Sequence, residues 1–381
     1  MHSLQQAVAW AGFGIGFVLG AVSSRTGFCT MGALSDVVHM GEWTRLRMWL
    51  FAIGVAVLGT QALAWSGTID LTRALHVQPA LPWLSLLTGG VLFGFGMTLA
   101  SGCGARTLTR VGAGSLKAMV VLAVMSLFAY MTLRGVFGVL RAGVLDPIAL
   151  QLPQGQDLPR LIAGAGATPA SVATMRVVAG GIIGAGLLAV ALAGREFRRP
   201  GPLLGAACTG LAVVAAWAVS AHLGYVAEDP QTLQERFVGS QSGRPEALSF
   251  VGPVAFSMEL LMFWSDPSRR VTMGIASVAG MIAGSLAHAL ATRSFRWEGF
   301  AGVQDTARHL VGAAMMGVGG VTAMGCTIGQ GITGVSTLSM GSMIALAGIV
   351  AGALCGFRWL GWQEERQLAT TLSKTGSQTS V

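Results

Sequence analysis

Apolar residues along the chain gather into runs of about 20, the length that crosses a hydrocarbon core of ~30 Å at a 1.5 Å rise per residue. Nine such runs are present, at 4–22, 44–66, 81–101, 116–140, 171–193, 202–225, 271–292, 308–324 and 341–362. Four further stretches, 26–40, 102–114, 247–264 and 325–340, are too apolar for loops yet too short or too broken by glycine to span. Irregular backbone at membrane depth survives only where protein or a water-filled cavity satisfies its polar groups, so four re-entrant pieces predict a chain built around a permeation path.

Composition closes off the soluble classes. The chain has 381 residues, 53% hydrophobic and 10% charged, against about 25% charged in a soluble domain. Its 55 glycines are about twice the usual share and predict closely approaching or broken helices. The fold class that follows is all-α: a polytopic membrane protein of about nine transmembrane helices plus four short re-entrant helices. The formal charge of +8 sits mostly in short connectors, which is how orientation in a bilayer is set, and no basic patch interleaved with aromatics points to nucleic acid. With the N-terminus outside, inner connectors carry 15 Lys and Arg and outer connectors 7, which favours an N-out, C-in protein of the bacterial inner membrane. The first run lacks a basic leader and a small-residue cleavage site and reads as a retained span. Most of the ten tryptophans fall near run ends, as an interfacial belt would.

A repeat is visible at two glycine-cysteine pairs. Gly94 and Gly96 stand nine and seven residues before Cys103, as Gly317 and Gly319 do before Cys326, and each pair closes a glycine-rich run. An odd number of spans separates the copies, so they face opposite sides of the membrane, the mark of an inverted-repeat transporter. The expected units are a first inverted repeat at 1–140, an outer insert and linking helix at 141–199, a second inverted repeat at 200–362 and a polar cytoplasmic tail, expected to be disordered, at 363–381.

Five cysteines with no CxxC pair argue against a disulfide framework or a zinc site. Cys208 and Cys355 lie mid-run among Ala and Gly and read as inert packing. Cys29, Cys103 and Cys326 stand at predicted helix breaks, beside Gly102, Gly104 and Gly325. Broken helices expose backbone N–H groups and positive dipole ends. Arg25, Arg106 and Arg110 add charge, Thr26, Thr30, Thr107, Thr327 and Thr333 hydroxyls, and Gln330 an amide. That set suits a small oxyanion, and thiols add selectivity for one that itself carries sulfur. Among groups at depth, Glu259, His288, Asp36 and His39 are candidates for taking up a proton, Glu259 and His288 foremost, with a satisfied structural pair as the alternative. No P-loop and no nucleophile constellation is present; the glycines of GIGFVLG, Gly14 to Gly20, lie inside a span with no preceding strand. A transporter rather than an enzyme is expected, with no cofactor and no metal.

At RTGFCTMGAL, LFGFGMTLASGCGARTLTRVGAGS and MMGVGGVTAMGCTIGQGITGVSTLS the chain resembles the YeeE/YedE family of bacterial sulfur-transport membrane proteins, over about 1–362. The resemblance implies inverted halves around an hourglass-shaped narrowing, lined by three cysteines that match Cys29, Cys103 and Cys326. It implies uptake of thiosulfate, passed between thiols through S–H hydrogen bonds, and a cytosolic TusA-like sulfur-carrier protein as a possible partner. The long insert at 141–170 departs from the family pattern. Alternatives are a membrane sulfurtransferase that forms a cysteine persulfide, a transporter of another sulfur or selenium compound, and an anion pathway in which the cysteines merely pack.

Overall fold

A computed structural model describes residues 2–378 apart from positions 153, 165, 229–233 and 267–268, with backbone alone for 2 and 368–378. In chain order the helices are α1 (His2–Thr26), α2 (Thr30–Ser35), α3 (Thr44–Trp65), α4 (Trp83–Leu99), α5 (Gly104–Gly112), α6 (Leu116–Arg134), α7 (Val136–Leu140), α8 (Leu158–Ala163), α9 (Pro169–Leu192), α10 (Pro200–Ala218), α11 (Val251–Met262), α12 (Met273–Ala291), α13 (Val303–Thr322) and α14 (Met340–Gln378). Nine of these, among the described residues, correspond to the nine expected runs, and the four re-entrant pieces appear as α2, α5, α11 and a π-helical turn at Gly329–Gly334. Eight of the nine are long and apolar enough to cross a membrane by composition. The ninth, α13, opens with Gln304, Asp305, Arg308 and His309, which dilute its hydropathy. The chain is a polytopic, all-α membrane protein.

Two faces organise the connectors. On the first lie the loops before α4, α8, α11, α12 and α14, tied by Leu75 N to Pro245 O, Met273 N to Gly239 O and Met340 N to Gln156 O. On the second, Lys117 N reaches Glu298 O and Arg296 N reaches Ala113 O.

Glycine sets how closely the spans pack. Along α1, Gly12, Gly16 and Gly20 recur every four residues against Met273, Ser277 and Met281 of α12, and α12 answers with Gly280 and Gly284 against Phe13 and Phe17. A Cβ at Gly16, Gly20 or Gly284 would sit on a backbone carbonyl of the partner helix. The parallel pair α4 and α14 uses the same device, Gly90 and Gly94 against Ala345 and Ile349, and Gly348 and Gly352 against Leu87 and Val91. This is small-xxx-small packing, in which dispersion between backbones replaces the hydrophobic effect that lipid cannot supply. The contacts of α4 and α13 correspond residue for residue: Gly96 meets Gly312 and Met316, while Gly319, at the same separation of 223 residues, meets Gly89 and Phe93.

Four expectations change. The run at 116–140 ends as a span at Arg134, because Gly135 adopts φ −109° and ψ −155° and starts the separate α7. Trp49 and Trp217 are buried in the core rather than interfacial, unlike Trp10, Trp43, Trp65, Trp264 and Trp297. The 363–381 tail continues α14 to Gln378, since 363–375 contains neither Gly nor Pro, and Arg366 stacks on Trp362 at 3.5 Å. The insert at 141–170 is not a free loop but a packed clamp. Its strand β2 (Leu150–Gln151) pairs antiparallel with β1 (Ala80–Leu81), Leu158 N bonds Leu338 O, and Asp146 accepts from Ser85 Oγ at 2.7 Å.

Asp157 anchors that clamp. It is fully buried, 2.7 Å from Arg176 Nη2 on α9 and 3.5 Å from Arg160 Nε. Removing one partner of a buried pair strands the other charge, at about 3–5 kcal/mol. Asp157→Ala is therefore expected to lower unfolding stability by about 3 kcal/mol, read by thermal denaturation in detergent. A change within about 0.5 kcal/mol, the scale of an exposed pair, would show that the insert is not held by this carboxylate.

Candidate functional site

The two glycine-cysteine breaks are built alike. Helix α4 ends with Ser101 in the left-handed region at φ +54°, Ser101 N bonding Thr98 O and Gly102 N bonding Met97 O. Helix α13 ends with Met324 at φ +56°, Met324 N bonding Val321 O and Gly325 N bonding Gly320 O. Both are Schellman closures, which satisfy the last carbonyls of a helix and turn the chain out of it. Each is followed by a glycine and then a thiol. Gly102 leaves room for Arg106, whose Cγ lies 3.2 Å from where a Cβ would stand; Gly325 does the same for Gln330 at 3.1 Å. Gly104 meets nothing closer than 3.7 Å, so close approach does not account for it.

Beyond each break a new N-terminus begins at the sulfur. Cys103 is the N-cap of α5 and its sulfur faces the amides of Ala105 and Arg106. Cys326 Sγ accepts from Gly329 N at 3.4 Å and faces the amide of Phe250, which caps α11. Cys29 caps α2 and accepts from Gly32 N, also at 3.4 Å. The three thiols converge: Cys29 and Cys103 are neighbours, and Cys103 also neighbours Cys326 and the Thr327 hydroxyl. Cys103 and Cys326 are buried, Cys29 half-buried. Among the described residues no group of three metal-ligating side chains occurs.

The irregular backbone around Cys326 is satisfied by side chains from other spans. Gln330 Nε2 donates to Ala323 O at 2.6 Å, Thr333 Oγ1 to Leu248 O at 2.7 Å, and Gln61 Nε2 to Ser336 O at 2.8 Å. Trp217 Nε1 donates to Ser336 Oγ at 3.1 Å. Buried polar atoms beside this segment without a partner include Thr327 Oγ1, Gln330 Oε1, Gln61 Oε1, Ser342 Oγ and Trp49 Nε1, the Trp49 ring lying against Gly331. Buried polar atoms of this kind are costly unless something visits them. A cavity of ≈ 490 Å³ leads to this segment from the first face, past His76, Asp146 and Gln156 to Gly325 and Thr333. Burial pushes the His76 imidazole down to about 4, so it lines that cavity uncharged at neutral pH.

The predicted residues divide accordingly. Arg106 is close enough to Cys29 to act on its charge, and Thr107 and Thr30 are buried beside the thiols in sequence. Arg25 is exposed at the end of α1 and Thr26 only bonds Val22 O. Arg110 pairs with Glu298 at 3.2 Å on the second face. Burial raises the Glu298 carboxyl, but its bonds to Arg110 and Ser115 and the charge of Lys117 outweigh this and hold it below the usual range. Glu259 is buried against Arg269 Nη1 at 2.7 Å and Tyr130 Oη at 3.4 Å. His288 sits in the last turn of α12, Asp36 pairs with Arg45 at 3.3 Å, and His39 packs edge-on to Phe357. Cys355 is exposed on α14 and Cys208 half-buried on α10.

Sequence reasoning missed Arg45, Trp49, Gln61 and Trp217. The Arg45 guanidinium lies 3.1 Å from where a Cβ of Gly32 would stand, over the turn that carries Cys29. A lone Gln within an apolar run and an Arg-x-Arg at the start of the same run were the available signals.

Three thiols therefore stand at helix starts close to one another, beside the start of α11, and a cavity from the first face opens as far as Gly325, next to Cys326. The Sulphur transport family matches residues 25–355. The chain belongs to that family. Relatives of known name agree: it is 26% identical over 369 residues to the thiosulfate transporter TsuA of Escherichia coli strain K12, covering 93% of this chain and 96% of that one. Against the thiosulfate transporter TsuA of Spirochaeta thermophila it is 24% identical over 346 residues, 90% and 96% of the two chains. This Sulphur transport family member is a multi-pass membrane transporter rather than an enzyme.

Proposed function

We propose that the chain carries thiosulfate into the cell across the bacterial inner membrane, with the first face outside and the arginine-rich second face in the cytosol. The observation that carries this reading is the convergence of Cys29, Cys103 and Cys326 on helix N-termini at two identically built breaks. An anion that sheds water there meets backbone amides for its oxygens and polarizable sulfur for its sulfur. From the outer cavity it meets Cys326 first, passes Thr327 to Cys103, and leaves past Cys29, Arg106 and Arg45. Each thiol donates S–H to the anion and accepts from an amide, and none forms a bond with it. The corresponding contacts of α4 and α13 support inverted repeats at 1–140 and 200–362 meeting in an hourglass at these sulfurs. Ion pairing of Glu259 with Arg269 favours a structural role for that carboxylate over proton coupling. Cytosolic removal of the product by a TusA-like sulfur carrier fits the same direction of flow.

The test is uptake of radiolabelled thiosulfate by cells that lack other sulfate and thiosulfate importers and express this chain. Accumulation that excess unlabelled thiosulfate abolishes and equal sulfate does not is the expected result. Equal competition by sulfate would mean that the thiols do not select for sulfur.

A further inference from the structure

A second built cavity, of ≈ 610 Å³, lies on the first face between α3, α9 and the clamp, away from the thiols. Its polar lining is Gln61, Asp70, Thr72, Gln154, Arg160 and Arg176, Arg160 Nη1 donating to Gln154 O at 2.7 Å, and its apolar side carries Trp65 and Val177. Trp65 and Val177 are exposed, 75% and 43%, because α9 packs on α3 and α8 and turns its other side to lipid. The level of the cavity is fixed by sequence. Between Arg176 on α9 and Arg195 just beyond its end the run is uncharged, 18 residues or ~27 Å, close to a hydrocarbon thickness. Gly180 of α9 contacts Gln61 one turn below Trp65, so Arg176 and Trp65 share the headgroup boundary.

Charge completes the argument. Arg160 and Arg176 share the one carboxylate of Asp157, leaving an excess positive charge at the edge of the bilayer. Gln61 is 5% exposed and its Oε1 has no partner, so an acceptor stands unmet in the same cavity. Asp70, which accepts from Thr72 N and pairs with Arg73 Nε at 3.1 Å, adds a half-exposed carboxylate with lone pairs to spare.

We propose that this groove binds a phospholipid whose headgroup ends in a primary ammonium, phosphatidylethanolamine. Arg160 and Arg176 hold its phosphodiester, Gln61 Oε1 and Asp70 accept from its ammonium, and an acyl chain lies along Val177. Because Gln61 also holds Ser336 and Asp157 underlies the Leu338–Ser339 turn, the lipid steadies the segment that carries Cys326.

Native mass spectrometry of the full chain, delipidated and offered phosphatidylethanolamine, phosphatidylglycerol or phosphatidylcholine at equal concentration, tests it. One retained phosphatidylethanolamine is expected, at about tenfold tighter binding than phosphatidylcholine, whose ammonium has no N–H to donate (~1.4 kcal/mol). Arg160→Gln, which leaves Asp157 its Arg176 partner, should abolish retention. Asp70→Asn, which keeps the Thr72 cap, should remove the preference over phosphatidylglycerol while keeping a lipid bound. Equal retention of the three lipids, preference for phosphatidylglycerol by the unmodified chain, or unchanged binding in Arg160→Gln would overturn the assignment. None of these readouts depends on the transported anion, so the lipid site and the thiosulfate pathway fail separately.

Discussion

Replacing Cys326 with Ser is expected to cut thiosulfate uptake at least about tenfold, ~1.4 kcal/mol in the barrier, while the protein still inserts and folds. The thiol is completely buried, accepts from Gly329 N, and follows Gly325, which lines the cavity from the first face. A hydroxyl there is smaller, less polarizable and more costly to leave half-paired, so in the proposed pathway the anion loses a matched partner. Cys103→Ser should behave alike, because it occupies the corresponding break and neighbours both other thiols. Cys355→Ser, on an exposed position of α14, should change uptake by less than about twofold, ~0.4 kcal/mol. If all three variants transport equally, the cysteines only pack, and the anion is selected by the amides and arginines alone.

The second large effect concerns folding. Gly284→Val and Gly94→Val each place a side chain on a backbone carbonyl of the partner helix, Phe17 O and Ile349 O. A flexible neighbour could yield, but a carbonyl within a helix moves only with the helix. The α1–α12 or α4–α14 pair must then separate along its whole glycine face, at no less than the ~3 kcal/mol upper range of overpacking. Both variants should yield little monodisperse protein by size-exclusion chromatography. Gly14→Val and Gly186→Val, which meet nothing within 4 Å, should purify as the unmodified chain does. Normal yields of Gly284→Val would show that the close approach is not needed.

Much of this architecture is legible in the chain because it rests on local signals. Runs of apolar residues gave the spans, and glycine followed by cysteine marked the breaks where Schellman turns now stand at Ser101 and Met324. The rest depends on contacts that composition does not encode. Trp49 and Trp217 have the make-up of belt residues, yet their indoles are buried by the re-entrant segment at 329–336. The insert at 141–170 has no periodicity, so its clamp became visible only through Asp157 and the turn at Leu338. Arg25 and Arg106 look equivalent on paper. The direction of α1 leaves one exposed, and the room at Gly102 folds the other back over the break. Glu259 shows the converse, an intramembrane carboxylate whose partner, Arg269, lies beyond its own helix.

In the proposed pathway thiosulfate passes the three thiols intact. The most direct measurement uses purified protein in liposomes and thiosulfate labelled either at its outer, sulfane sulfur or at its inner, sulfonate sulfur. Passage of the whole anion brings both labels inside at equal rates and leaves none on the protein. A sulfurtransferase would instead have a cysteine thiolate take the sulfane sulfur as a persulfide and release sulfite, so that the sulfane label alone follows the protein and its mass rises by one sulfur. Equal entry of both labels is the result expected here; retention of the sulfane label on Cys103 or Cys326 would contradict it.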